Sequence, residues 1–420
     1  MTDPTVSGLV LRPFRAVRPA VDSARLAKLL CPPYDVITSE DRAELLEHDP
    51  DNAVAIVLPE PAGGRDKYSA AAARLDQGIL NGLYAVDATP ALYVYEMRGG
   101  DRTCTRGLLG AVELRDPADG VILPHENTMA GPVTDRLALM VSTQANVEPI
   151  YLVYDGGGAA SQAVRDVDTQ EPIAQTQTPD GITHRLWALT DPDSLGAIRQ
   201  DLAARRALIA DGHHRYATYR QLQEQRRLQS GPGPWDFGLT LLVDSTDYGP
   251  QVHAIHRVLV GLPLPVALEK LVAVAEFDDV RSAQDGLEAI SAVPGFAVVL
   301  TDGTRHVVVR DRAGILAAAS TRADEPAELG GLDVTVLHRG LIVGGLGLRD
   351  TVEEVGYAHD VDEALTNAQR TAGTAVLLRP TPVAAVAAVA AAGGRMPRKS
   401  TLFTPKPASG LVMRRFADEN

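Results

Sequence analysis

The chain of 420 residues has little cysteine and no long apolar run. Its two cysteines, Cys31 and Cys104, form no CxxC pair, and a lone disulfide is rare in cytosolic proteins. The most apolar late segment, residues 383–392, contains only valine and alanine. It is too short to span a bilayer and predicts a buried helix ended by Gly393-Gly394. Residues 1–11 lack the basic and apolar regions of a signal peptide, so we expect a cytoplasmic protein without a membrane partner.

Positive charge is also scarce. The 40 Lys and Arg residues are outnumbered by 54 Asp and Glu residues, which gives a net charge of −14 and a pI of about 5.2. This balance argues against a general binder of nucleic acid or anionic membranes. A small anionic ligand is still compatible with it, because a local basic pocket can form in an acidic protein. Hydrophobic residues make up 45% of the chain, which predicts a globular protein. The length of 420 residues is too great for one ordinary core, so two or three domains are expected.

Several common functional fingerprints are missing. The sequence has no Walker loop, no Rossmann GxGxxG, no nucleophile elbow and no HExxH. Strand and helix patterns alternate, which predicts an α/β or α+β fold with mixed sheets and flanking helices. We predict an N-terminal α/β domain at residues 1–250 and a C-terminal α+β domain at residues 251–420 that carries a basic closing segment. Residues 52–58 are predicted as a strand because Val and Ile alternate there.

The most informative stretch is Ala210-Asp211-Gly212-His213-His214-Arg215-Tyr216. An apolar strand precedes it and a helix pattern follows it, so the glycine turn lies at a helix N-terminus, which favours anions. Gly212, His213, His214 and Arg215 are therefore predicted to bind phosphate. Asp211 could bind a metal ion or take a proton. In the alternative interpretation, Asp211 caps the helix, Gly212 makes the turn and the histidines are buried polar residues.

Further candidates lie in three other segments. Consecutive prolines, Pro32-Pro33, fix Tyr34 and Asp35. Residues His125 and Glu126 lie in a stiff loop, and Asp135-Arg136 follows this loop. Glu126 could deprotonate a hydroxyl or bind a cation, and His125 could contact phosphate. The alternative is an exposed polar loop with Asp135 capping a helix. Asn146 and Glu148 precede a buried strand and are either structural or substrate-binding.

The tail reverses the charge of the chain. Residues 395–415 contain no acidic residue but six cations: Arg395, Arg398, Lys399, Lys406, Arg414 and Arg415. This pattern is consistent with a segment that closes over phosphates, or with a solvated terminal arm. His253 and His256 could ligate a metal if they are helical, but no third zinc-type ligand is evident. Ordinary hydrogen bonding, or a phosphate contact from Arg257, is favoured.

Together the motifs resemble a bacterial family known as domain of unknown function 1015. The matching pieces are Pro32-Pro33-Tyr34-Asp35-Val36, Pro124-His125-Glu126, Asp135-Arg136-Leu137, Asn146-x-Glu148-Pro149, the Asp211–Arg215 turn, His256-Arg257 and Met396-Pro397-x-Lys399-Ser400-Thr401. The family usually has an aromatic residue where this chain has Thr404, which puts a stacking role there in doubt. The turn itself is similar to the phosphate-binding turn of the ParB, sulfiredoxin and free serine kinase superfamily. This likeness implies a phosphate-binding core of that type and a link to serine metabolism.

The sequence leads to one main hypothesis, a small-molecule phosphotransferase that acts on serine or a similar hydroxyl compound. The donor would be ATP, ADP or pyrophosphate with Mg²⁺, the metal lying on Asp211 or Glu126. Glu126 is the preferred catalytic base, with Asp35 and Asp211 as rivals, and Arg398 and Lys399 would close over the phosphates. The predicted substrate-binding residues are His125, Asp135, Arg136, Asn146, Glu148 and Arg257. A metal-dependent phosphohydrolase and a non-catalytic nucleotide-binding regulator are the alternatives. No nucleic-acid partner is expected, and a homodimer is left open.

Overall fold

The computed structural model describes residues 7–100 and 103–419. Its strands are β1 (Leu11–Arg12), β2 (Val17–Pro19), β3 (Tyr84–Val86), β4 (Leu92–Arg98), β5 (Cys104–Glu113), β6 (Ile122–Leu123), β7 (Ala145–Asn146), β8 (Ile150–Tyr154), β9 (Ala174–Gln177), β10 (Thr183–Leu189), β11 (Ala207–Asp211), β12 (Phe237–Asp244), β13 (Gln251–His253), β14 (His256–Leu259), β15 (Ala275–Val280), β16 (Ala297–Thr301), β17 (His306–Asp311), β18 (Val355–Ala358), β19 (Thr374–Leu377), β20 (Leu402–Thr404) and β21 (Arg414–Arg415).

The helices alternate with these strands along the chain. They are α1 (Ser23–Leu29), α2 (Ser39–His48), α3 (Val54–Val57), α4 (Lys67–Leu80), α5 (Ala130–Thr143), α6 (Gly158–Asp166), α7 (Pro192–Leu202), α8 (His213–Ser230), α9 (Leu264–Leu271), α10 (Ala283–Ser291), α11 (Ile315–Ser320), α12 (Ala327–Gly330), α13 (Asp333–Thr335), α14 (Val361–Arg370) and α15 (Val383–Ala391). A π-helix spans Val336–Gly345, and short 3₁₀-helices include Tyr34–Val36. Within the described residues, no helix is both long and apolar enough to cross a membrane.

The chain forms two compact units. Unit 1 contains the described residues up to Pro124, Thr128–Pro250 and the described residues from Pro405 onward, while unit 2 contains His125–Asn127 and Gln251–Thr404. The basic tail is therefore divided between the units. Its last part belongs to unit 1 because β21 pairs with β7 and the backbone of Met413 pairs with that of Val17.

Unit 1 is built on a mixed sheet. In the described chain its strands follow the order β6-β11-β8-β12-β5-β4-β10-β9, and β1 pairs with β5. The pairs β11–β6 and β12–β8 are parallel, whereas β11–β8 and β12–β5 are antiparallel. The helices α6, α7 and α8 pack against strands of this sheet. The structure thus confirms the expectation of mixed sheets with flanking helices.

The prediction of a strand at residues 52–58 is wrong. Val54–Val57 forms the short helix α3, and all four of its residues are buried. The side chain of Asn52 begins this turn, because its Oδ1 accepts the N–H of Val54 while its Nδ2 donates to the carbonyls of Lys28 and Leu30. These contacts come from a distant segment, and they override the local strand preference of Val and Ile.

Unit 2 contains an antiparallel sheet in the order β15-β17-β16-β19-β14-β18 among the residues described. Helices α10 and α14 pack on it and enclose a core of Val, Ile, Leu and Ala side chains. Residues 383–391 form α15, as the valine and alanine run predicted, and Gly393 follows it with φ +77°. His253 and His256 lie on β13 and β14, so the helical spacing that a metal pair would need does not occur.

Candidate functional site

The Asp211–Arg215 turn has the strand, glycine and helix arrangement that the sequence predicted. Strand β11 ends at Asp211, Gly212 has φ +90° and ψ 30°, and α8 begins at His213. This left-handed backbone is accessible to glycine at little cost. The N-cap residue of α8 is Gly212, which has no side chain to cap the helix, so the positive end of the helix dipole lies next to Gly212. The end of an 18-residue helix is therefore available to an anion.

Arg215 is buried below this turn. One guanidinium nitrogen donates to the carboxylate of Asp211 and another to the carbonyl of Pro149. Its Nε atom is buried and has no hydrogen-bond partner among the described residues. A Cβ atom added to Gly212 would lie 3.1 Å from this Nε, so the Nε atom lies close to the turn. Arg215 thus supports the fold and also carries one buried donor beside the turn that has no partner among the described residues.

Lys406 joins the same turn, although the sequence did not single it out. Its Nζ lies 2.7 Å from Oδ1 of Asp211 and 3.4 Å from Oδ2 of Asp35. Burial alone would lower the pKa of Lys406, but the two carboxylates outweigh burial and raise it. For Asp35, burial alone would raise the pKa, and the charges of Arg215 and Lys406 lower it instead. The only sequence signal for Lys406 was its place in the acid-free tail.

Glu148 is a buried carboxylate in the same unit. Its Oε1 accepts the N–H of Tyr34 and the hydroxyl of Ser409, each at 3.0 Å. Its Oε2 lies 3.8 Å from Arg136, whose guanidinium stacks 4.2 Å from the ring centre of Tyr34. Burial raises the pKa of Glu148, and the nearby arginines oppose this only in part. Glu148 therefore connects the Tyr34–Val36 turn, α5 and the tail.

Asp135 and Arg136 lie inside α5 and do not cap it, since α5 begins at Ala130. Oδ1 of Asp135 accepts from Lys67 at 2.6 Å and from the hydroxyl of Tyr68 at 2.9 Å, and Oδ2 accepts from Arg136. Burial would raise the pKa of Asp135, but the hydrogen bonds from Lys67 and Arg136 lower it to about 2. Lys67 is a second residue that the sequence missed.

The two histidines of the turn differ in their surroundings. His213 is buried. The Nε2 of half-buried His214 accepts the N–H of Met129 at 3.1 Å, so a neutral ring carries its proton on Nδ1. Burial is the main cause that lowers the pKa of His214, and Arg215 adds to it. His214 therefore contributes one N–H donor and no charge at neutral pH.

Asn146 has structural partners in unit 1. Its Oδ1 accepts from Arg414 at 2.8 Å and from the N–H of Leu239 at 3.1 Å. Arg414 is completely buried and also donates to Glu419. Asn146 thus anchors the paired strands β7 and β21.

The other predicted residues belong to unit 2. His125 is fully buried; its Nε2 lies 3.2 Å from the hydroxyl of Thr401, and its carbonyl accepts from Met396. Glu126 is half-buried. Arg398 and Lys399 are exposed, and their carbonyls accept from the buried guanidinium of Arg257. The motifs around His125, Arg257 and Lys399 therefore converge within unit 2.

The described residues contain no group of three or more His, Cys, Asp and Glu side chains that could hold a metal ion by themselves. The predicted ligands Asp211 and Glu126 lie in different units. In unit 1, Asp211 and Asp35 share one cation, the ammonium group of Lys406.

A family model described as a protein of unknown function (DUF1015) matches residues 11–335. The chain belongs to this family, as the motif resemblance predicted. No curated protein matches the chain.

Solved structures that resemble the chain include a conserved hypothetical protein from Pyrococcus furiosus, with 14% identity and a TM-score of 0.34 over 71% of this chain and 94% of that one. Free serine kinase in complex with AMP has 15% identity and a TM-score of 0.34 over 67% and 83%. SbnI from Staphylococcus aureus has 11% identity and a TM-score of 0.35 over 72% and 85%. Because these identities and TM-scores are low, the ligands and activities of those proteins are not assigned to this chain.

Proposed function

We propose that the protein is a small-molecule phosphotransferase whose phosphate donor binds at the Asp211–Arg215 turn of unit 1. The observation that carries this proposal is the coincidence of two features at Gly212. The N-cap residue Gly212 provides no side-chain cap for α8, and the buried Nε–H of Arg215 has no partner among the described residues. Both features favour an anion beside Gly212, where no Cβ atom crowds the Arg215 guanidinium.

The donor phosphates contact these groups and two further donors. His214 offers its Nδ1–H as a neutral ring, and Lys406 adds a positive charge beside Asp211. We propose ATP, ADP or pyrophosphate as the donor class, because each presents a diphosphate to the turn.

Asp211 and Asp35 fit a magnesium ion. A single cation, the ammonium group of Lys406, already contacts both carboxylates. Mg²⁺ in phosphoryl-transfer sites usually binds one or two carboxylates together with phosphate oxygens and water. Bound there, Mg²⁺ would neutralise phosphate charge. Glu126, the other predicted ligand, belongs to unit 2, and we propose no role for it in this step.

Asp35 is the proposed residue for the acceptor hydroxyl. Its side chain is 40% exposed, and its lowered pKa keeps it ionised at neutral pH. An ionised carboxylate can orient a hydroxyl group and accept its proton as the new oxygen–phosphorus bond forms, while the bridging P–O bond of the donor breaks and the rest of the donor leaves with its oxygen. Serine, or a similar alcohol, is proposed as the acceptor on the motif resemblance alone.

The test is incubation of the protein with Mg²⁺, each donor and a panel of amino acids and sugars, followed by phosphorus NMR. We expect a new phosphate ester that forms only when an alcohol is present. The variant Asp35→Asn should lower the rate by about a hundredfold, while the affinity for pyrophosphate measured without Mg²⁺ changes little. Orthophosphate release without an alcohol would instead indicate a phosphohydrolase, and tight donor binding without turnover would indicate a regulator. Either result would overturn the proposal.

A further inference from the structure

Unit 2 contains a cavity of its own, with a volume of about 580 Å³. The π-helix Val336–Gly345 and the segment between α15 and β20 contribute to its walls. This volume is in the range of cavities that bind small molecules. π-Helical turns are rare in proteins, and those that occur often lie at functional sites, which gives a second reason to consider this cavity.

Four arginines line the cavity, and among the described residues two of them are in no salt bridge, although the charge of Arg398 helps to lower the pKa of Asp350. Arg339 is hydrogen-bonded to Glu325, and Arg322 lies 3.8 Å from the same carboxylate. Within the described residues, Arg395 and Arg398 form no ion pair; Arg395 donates to the adjacent carbonyl of Gly394. Two guanidinium groups on one short segment are therefore available to an oxyanion.

Arg257 contacts the backbone of the segment that carries Arg398. This guanidinium is completely buried, and its NH2 donates to the carbonyl of Lys399 at 2.9 Å. Lys399 has φ +54°, a left-handed conformation that costs free energy for a residue other than glycine. The contact with Arg257 maintains this conformation, so the position of Arg398 beside the cavity is fixed by buried structure.

A polar relay connects Arg257 to the cavity wall. Its Nε donates to Nε2 of His338 at 2.9 Å, and Nδ1 of His338 lies 2.9 Å from Oδ1 of Asp350. Because an arginine can only donate, His338 must carry its proton on Nδ1 and donate it to Asp350. His338 and Asp350 both line the cavity. The buried charge of Arg257 has no direct carboxylate partner in the described chain, which favours negative charge nearby.

We propose that this cavity is a binding site for a small organic anion, whose carboxylate or phosphate group contacts Arg395 and Arg398. Asp350 accepts a hydrogen bond from a hydroxyl or amino group of the same ligand. The site is independent of the phosphate-donor site proposed in unit 1.

The test measures the binding of inorganic phosphate and of malate to the full chain by calorimetry. At least one probe should bind with a Kd below about 1 mM. The double variant Arg395→Gln/Arg398→Gln should raise the Kd for that probe by at least about tenfold. Arg281→Gln is the matched control, because its side chain is 94% exposed and does not line the cavity. Stronger binding of phosphate would indicate a phosphate ester as the natural ligand, and stronger binding of malate a carboxylate.

Two further measurements separate this site from the turn of unit 1. Binding at the cavity should persist in the Gly212→Ala variant, and the probe should shift the imidazole NMR signals of His338, assigned by comparison with His338→Gln. Absence of binding by both probes, or equal affinity in the double variant and the control, would overturn the proposal. Loss of binding in Gly212→Ala would assign the anion to unit 1 and overturn it as well.

Discussion

The Nζ atom of Lys406 lies 2.7 Å from Oδ1 of Asp211, and the same ammonium group reaches Asp35 at 3.4 Å. One cation from the last part of the chain thus joins the end of β11 to the 3₁₀-helix that contains Asp35. Arg215 also contacts Asp211, so removal of Lys406 would leave the two carboxylates with less compensating positive charge, although not with none. Lys406 therefore reduces the net negative charge beside the Asp211–Arg215 turn.

Replacing Lys406 by Met should increase the affinity for Mg²⁺ in the absence of any phosphate compound. Asp211 and Asp35 lose their shared cation, so we expect the Kd for Mg²⁺ to fall by about tenfold. Calorimetric titration with magnesium chloride measures this change. Lys28→Met, at an exposed lysine in the last turn of α1, is the control and should leave the Kd unchanged. An unchanged or higher Kd in Lys406→Met would contradict a cation position between the two carboxylates.

Two glycines at opposite ends of α8 allow a loss of anion binding at the turn to be distinguished from a general effect of backbone strain. Gly212 (φ +90°, ψ 30°) and Gly231 (φ +74°, ψ −162°) both have backbone conformations that other residues rarely adopt, so alanine at either position should cost at least about 1 kcal/mol of stability. A Cβ at Gly231 meets nothing within 4 Å, whereas one at Gly212 would lie 3.1 Å from Nε of Arg215. Only Gly212→Ala should therefore weaken pyrophosphate binding, by about tenfold or more. Equal affinities in the two variants would remove the turn from the phosphate site.

The turn could be predicted from sequence because its determinants are local. An apolar strand, one glycine and a helix pattern specify the backbone within a few residues of each other, and the structure has Gly212 in the left-handed region. The helix α15 and its glycine end were predictable for the same reason.

The partners of the turn could not be predicted, because tertiary contacts determine them. Lys406 was one of six cations in the tail, and no local pattern distinguished it from Arg398, which lies in unit 2. The prediction of a strand at residues 52–58 was wrong for the same reason, because the side chain of Asn52 donates hydrogen bonds to the carbonyls of the distant residues Lys28 and Leu30. Residues 125–127 belong to unit 2 although unit 1 precedes and follows them in sequence.

Asn146 should prove to be important for stability rather than for binding. Its Oδ1 accepts from the buried Arg414 and from the N–H of Leu239, and alanine would leave both donors without this acceptor. We expect Asn146→Ala to lower the free energy of unfolding by about 1–3 kcal/mol and to leave the Kd for pyrophosphate unchanged. Urea denaturation and calorimetry measure the two quantities, and Asn81→Ala at the exposed end of α4 is the control. A large rise in Kd without a loss of stability would instead support a substrate contact.

Asp135 should make the stability of the protein depend on pH in the acidic range. Its pKa is lowered from 3.8 to about 2 because the hydrogen bonds from Lys67 and Arg136 outweigh burial. The folded state therefore binds a proton less readily than the unfolded state, and the stabilisation is complete above pH 3.8 and lost as the pH falls toward 2. A shift of this size corresponds to about 2 kcal/mol.

Urea denaturation should show wild type more stable than Asp135→Asn by about this amount at pH 6, with the difference shrinking below pH 4. Asp76→Asn, whose carboxylate is 68% exposed on α4, should differ from wild type by less than about 0.5 kcal/mol at each pH. A difference between wild type and Asp135→Asn that stays constant down to pH 2.5 would show that Asp135 is not stabilised by its two cations.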